Sequence, residues 1–126
     1  MPRMQEEVLK KLSLFGHLHN LVREHPEFEV LCEPTVDRYC FRYMPNGLQD
    51  DRREVEQFLN RVNGEIVENV RREGFAITRK QVGGRVAIRL SIRSETTIRE
   101  DIDATFEAIA RWGRLCSRKQ LSVSVS

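Results

Sequence analysis

Three thiols, three imidazoles and a set of strand arginines are the groups in this 126-residue chain that could do chemistry. Cys32, Cys40 and Cys116 are odd in number, and their spacing matches neither a zinc site nor a disulfide framework. Cys32 and Cys40 fall in strand-like segments, where a free thiol behaves as a small buried apolar side chain. That usage suits a reducing compartment such as the cytoplasm. Nothing near Cys116 in sequence argues for a lowered pKa. His17 and His19 stand two apart in a helical segment and point in different directions, a poor metal pair, so helix packing or surface is expected. Gly83-Gly84 lacks the form of a phosphate-cradling loop and reads as a turn. Arg89 sits in a strand-like run, and residue type alone makes it a solvated charge on an open sheet face. Arg42 and Arg93 read as solvated or domain-contact residues of that face.

The elements that position these groups follow from periodicity. Met4, Val8, Leu12, Phe15, Leu18 and Val22 keep helical spacing, so residues 3–24 form an amphipathic helix that ends before Pro26. Residues 28–33 form a short strand with Phe28, Val30 and Cys32 on one face, and Pro34 breaks it. Residues 38–43 form a second strand. Tyr39, Phe41 and Tyr43 share one face, as core packing rather than a ligand stack, and Arg38, Cys40 and Arg42 share the other. Pro45-Asn46-Gly47 signals a turn. Val55, Phe58, Leu59, Val62, Ile66 and Val70 stripe a helix over residues 51–73, capped by Asp50 or Asp51 and closed by Gly74. Residues 75–82 and 85–93 pair around Gly83-Gly84 as a hairpin. Val86, Ile88, Leu90 and Ile92 face one way; Arg85, Ala87, Arg89, Ser91 and Arg93 face the other. Thr97-Ile98-Arg99-Glu100 has the form of a capping box, opening a last helix with Ile98, Ile102, Phe106, Ile109 and Trp112 on its inner side.

The order αββαββα predicts an α+β two-layer sandwich: a four-stranded, mainly antiparallel sheet with helices on one face. The length suits one domain, residues 1–116, followed by a flexible tail, residues 117–126. Hydrophobic residues are 40% and charged residues 32% of the chain, a soluble globular balance. A net charge of +2, with both signs mixed along every segment, gives no nucleic-acid stripe. No apolar run reaches a membrane span, and MPRMQEEVLKK carries no signal-peptide core.

Several segments together resemble a known family. Phe28-Glu29-Val30, Pro34 and Cys40-Phe41-Arg42-Tyr43 are similar to the opening strands of the C-terminal small domain of the pyridoxal-phosphate-dependent group II amino-acid decarboxylases. These include glutamate, aromatic amino acid, sulfinoalanine and 2,4-diaminobutyrate decarboxylases. Leu59 to Asn63 resembles the family's long helix. Gly74 to Thr78 and Val86 to Ile92 resemble its last two strands. Thr96-Thr97 followed by Asp101-Ile102-Asp103 resembles its final helix start. Each motif is weak alone, and their order and spacing cover nearly the whole chain.

The resemblance implies a domain that packs over a large cofactor-binding domain or subunit and helps close an active site on an amino-acid substrate. It implies that Arg89 contacts the substrate carboxylate, a role suited to a planar, always-charged fork. The cofactor chemistry needs a Schiff-base lysine, an aspartate on the pyridine nitrogen and a phosphate cradle. None of Lys10, Lys11, Lys80 and Lys119 follows a histidine, as the family's lysine does. The expectation is a domain inactive alone: an excised domain, a separate subunit or a remnant, and a candidate homo-oligomer. The rival expectations are a stand-alone module binding a ligand or protein on the open sheet face, and the small domain of a related aminotransferase.

Overall fold

The computed structural model describes residues 2–32, 39–45 and 53–125, with side chains described from 5 to 119 within those ranges. The break at Pro34, Arg38, the Asn46-Gly47 turn and the Asp50 or Asp51 cap lie outside the described residues.

Seven elements follow in the expected order: α1 (Pro2–Glu24), β1 (Phe28–Cys32), β2 (Cys40–Tyr43), α2 (Arg53–Arg72), β3 (Ile77–Val82), β4 (Arg85–Leu90) and α3 (Arg99–Val125). The strands form one sheet in the order β1-β2-β4-β3, with every neighbouring pair antiparallel. The helices pack against it, giving the α+β two-layer fold.

Local chemistry explains the boundaries. Glu54 and Glu56 open α2, and Arg71 and Arg72 close it; both ends complement the helix dipole. Gly74 follows at φ 98°, a conformation glycine adopts without a Cβ penalty. Gly83 and Gly84 turn the β3–β4 hairpin at φ 56° and 79°, the paired positive angles that a two-residue hairpin turn demands. The last helix starts one residue later than the capping-box pattern suggests. Asp101 Oδ2 accepts from the Ile98 backbone N–H at 2.9 Å, while Thr97 Oγ1 accepts from Arg93 N–H at 2.8 Å. The reach-back acid is therefore Asp101, not Glu100.

One core joins all three helices to the sheet. It gathers Leu18 and Val22 of α1, Phe41 and Ile88 of the sheet, Leu59 and Ile66 of α2, and Ile102 and Ile109 of α3. Tyr39, Phe41 and Tyr43 are fully buried, confirming their role in packing. Tyr43 lies so close to α3 that a Cβ on Gly113 would sit 2.7 Å from its ring. Three expected core positions are exposed: Ile98 just before α3, and Val8 and Leu12 on the N-terminal half of α1, with Leu14 buried instead.

The middle of the sheet is held in an unusual way. Among the described residues β2 and β4 share one paired rung, Phe41 with Ile88. Beyond it, α2 supplies the missing partners through two asparagines one turn apart. Asn63 accepts from Tyr43 N–H at 2.7 Å and donates to Tyr43 C=O at 3.0 Å. Asn60 accepts from Val86 N–H at 2.9 Å and donates to Gly84 C=O at 3.1 Å. Side-chain amides carry both a donor and an acceptor, so each can stand in for a strand. Backbone groups that the parted strands would leave bare are thereby satisfied.

Candidate functional site

Arg89 lies in β4 between two strands. Its partner on β3 is Thr78, and the Phe41–Ile88 rung brings Cys40 of β2 beside it. Arg89 is half-buried at the edge of an open groove of about 410 Å³. The polar lining of that groove is Lys11, Thr78, Arg89, Ser91 and Arg93, with the Phe15 ring among its apolar walls. Three cations line it, Lys11 of α1, Arg89 of β4 and Arg93 just beyond β4, and among the described residues no carboxylate does. Partial burial weakens solvent screening of the central guanidinium. The arrangement suits a small anion, held by a two-pronged guanidinium and flanked by hydroxyl donors.

Arg89 and Arg93 line the same groove, although the strand expected over residues 85–93 ends at Leu90 and leaves Arg93 beyond it, and Lys11 is the residue that sequence reasoning missed. Its signal is local: Phe15 lies four residues on, one helical turn along the same face.

Arg42 is not with them. It is buried, not solvated, because three carboxylate oxygens surround it: Glu29 Oε2 at 2.7 Å from Nε, Glu56 Oε2 at 2.9 Å from Nη1 and Glu56 Oε1 at 3.3 Å from Nη2. Burial alone would depress its pKa, but the hydrogen bonds to Glu56 and Glu29 outweigh it and raise the value. The same contact with Arg42 holds the Glu56 carboxyl below its usual range. Arg85 stands against the cluster, 3.6 Å from Glu56 and 3.9 Å from Glu29.

The histidines are used for packing. His17 Nε2 meets Asp103 Oδ1 at 2.6 Å and its Nδ1 meets Arg99 at 3.0 Å, tying α1 to the start of α3. His19 meets the Tyr39 hydroxyl at 3.0 Å. Among the described residues no group of three or more His, Cys, Asp or Glu side chains could hold a metal. Cys116 is buried, and burial pushes its thiol up to about 11.

A Schiff-base cofactor does not fit this set. Lys10, Lys80 and Lys119 are exposed. Lys11 lines the groove, but among the described residues no acid lies there to meet a pyridine nitrogen.

No protein-family model matches the sequence, and no curated protein matches it. Solved structures do match. Oryza sativa TDC, solved with PLP and tryptamine, aligns at 22% identity over 90% of this chain and 24% of its own, with a TM-score of 0.74. Catharanthus roseus tryptophan decarboxylase, in complex with L-tryptophan, aligns at 19% identity over 87% of this chain and 22% of its own, TM-score 0.72. Mouse CSAD aligns at 19% identity over 85% and 23%, TM-score 0.73. At these identities the likeness is one of fold: the αββαββα sandwich recurs as a segment of those proteins. This chain spans about a quarter of their length.

Proposed function

We propose that the chain is the C-terminal small domain of a pyridoxal-phosphate-dependent group II amino-acid decarboxylase. In this reading it works with a large cofactor-binding domain or subunit, helps close the active site, and is inactive alone. The observation that carries the reading is the fold match, in which nearly all of this chain superposes on a quarter of proteins such as Catharanthus roseus tryptophan decarboxylase. The motif order from Phe28 to Asp103 supports it independently.

The chain's own contribution is binding and orientation. Arg89 receives the substrate carboxylate, and Lys11 and Arg93 raise the local positive potential that draws it in. Holding the carboxylate fixes the direction of the bond to be broken. The cofactor supplies the electron sink when bound, and its site belongs to the larger enzyme.

The test is a titration of small carboxylates into wild type and Arg89→Ala, followed by NMR at Thr78, Arg89 and Ser91. Weak, saturable shifts are expected in wild type. Loss of a charge-assisted pair should weaken binding by about 10- to 100-fold in the variant. Identical titrations would remove Arg89 from the site. Decarboxylation and a lysine-bound cofactor absorbance from this chain alone would overturn the claim that it is inactive by itself.

A second reading is a stand-alone module binding a small carboxylate. The feature favouring it is that Lys11, Arg89 and Arg93 line one groove beside the hydroxyls of Thr78 and Ser91. The two readings separate on the coding sequence beside this one, where a large domain with a His-Lys pair supports the first.

A further inference from the structure

β1 carries an irregularity that changes what its last residue faces. Val30 pairs with Phe41, and two residues later Cys32 pairs with Cys40, so Leu31 and Cys32 together oppose Cys40. A regular strand alternates its side chains, which would set Cys32 on the face of Phe28 and Val30, away from Cys40. A bulge places two residues against one and re-aims the side chain that follows. The two thiols are therefore cross-strand partners. We infer that Cys32 and Cys40 form a reversible disulfide, a redox site built into the β1–β2 hairpin beside Arg89.

Antiparallel partners stand about 4.5 or 5.5 Å apart at Cα, depending on the type of pair. Both values fall in the range a disulfide spans without backbone movement, about 4.4 to 6.8 Å. Burial pushes the Cys40 thiol up to about 11, and a hydrogen bond with the Cys32 thiol adds to that shift. Their exposures divide the roles: Cys40 is fully buried and Cys32 is half-buried. A solution oxidant therefore reaches Cys32 first.

The oxidant is a low-molecular-weight disulfide. The Cys32 thiolate attacks one of its sulfurs, forming a mixed disulfide and expelling one small thiolate. Cys40 then gives its proton to solvent and attacks the Cys32 sulfur, expelling the second. Two protein thiols are oxidised, one small disulfide is reduced to two thiols, and the two protons end on those thiols. The third thiol, Cys116, lies on α3 and serves as an internal control. The inference does not depend on the decarboxylase reading, since it rests on the register and burial of the two thiols.

The test equilibrates the whole chain at neutral pH with mixed reduced and oxidised glutathione. Mass spectrometry should show the loss of two hydrogens. After unfolding, one titratable thiol should remain of the three present, and digestion should yield a Cys32–Cys40 linked peptide. Cys116→Ser should form the same bridge and leave no titratable thiol. Cys40→Ala, which keeps a small apolar group in the buried position, should stop at a glutathione adduct on Cys32. Three remaining thiols, a persistent adduct on wild-type Cys32, or a bridge involving Cys116 or a second chain would each overturn the inference.

Discussion

Replacing Arg42 by methionine leaves Glu29 and Glu56 facing each other without the charge between them. Removing one member of a buried ion cluster costs about 3 to 5 kcal/mol, because the partners stay behind uncompensated. Glu29 and Glu56 keep about a quarter of their surface in water, so the expected loss for Arg42→Met is about 3 kcal/mol, read as a lower urea midpoint. The cluster also sets an acid limit. Glu56 has a lowered pKa in the folded chain, so it binds its proton more readily when unfolded. Its contribution is whole above the ordinary value of 4.5 and is lost as pH falls through the lowered folded value. Wild type should lose stability over that acid window, and Arg42→Met should show a flatter profile there. A variant as stable as wild type, with the same acid profile, would sink this account of Arg42.

At the scale of elements, one tight approach is between a helix and a ring. Gly113 of α3 lies against the ring of Tyr43, whose backbone is fixed by Asn63 and whose hydroxyl meets Glu27 at 3.2 Å. Gly113→Ala gains about 1 kcal/mol of helix propensity. Overpacking a fixed ring costs about 1 to 3 kcal/mol. A net destabilisation is expected, checked by thermal unfolding; a higher melting temperature would show that Tyr43 yields. Elements of this kind divide by how much of them sequence reveals. The stripe from Val55 to Val70 and the Gly83-Gly84 turn were legible because period and backbone angle are local properties. Arg89 within a strand was legible for the same reason. Lys11 beside Arg89 was not, because it depends on how α1 crosses the sheet. Nor was Cys32 opposite Cys40: a bulge resets the alternation that a strand reading relies on. Arg42 carries the same lesson, since its carboxylates come from β1 and α2.

For the whole molecule, the outstanding surface feature is on α1, where Val8, Leu9 and Leu12 are exposed, Leu9 by 65%. Three adjacent large apolar side chains in water favour association. The isolated chain should sediment as a concentration-dependent mixture. Leu9→Glu with Leu12→Glu should make it monomeric, with stability within about 0.5 kcal/mol of wild type; unchanged sedimentation would place the contact elsewhere. Another whole-molecule property follows from the Phe41–Ile88 rung between β2 and β4. Each outer hairpin, β1–β2 and β3–β4, closes over short sequence distances and can form early. Their union has one rung to zip along among the described residues. It waits for a helix that lies between them in sequence to arrive with Asn60 and Asn63 already one turn apart. The rate-limiting step of folding is then the docking of α2, and Asn63→Ala should slow refolding rather than merely hasten unfolding, as the folding limb of a denaturant chevron would show. The sheet would owe its continuity to the timing of a helix.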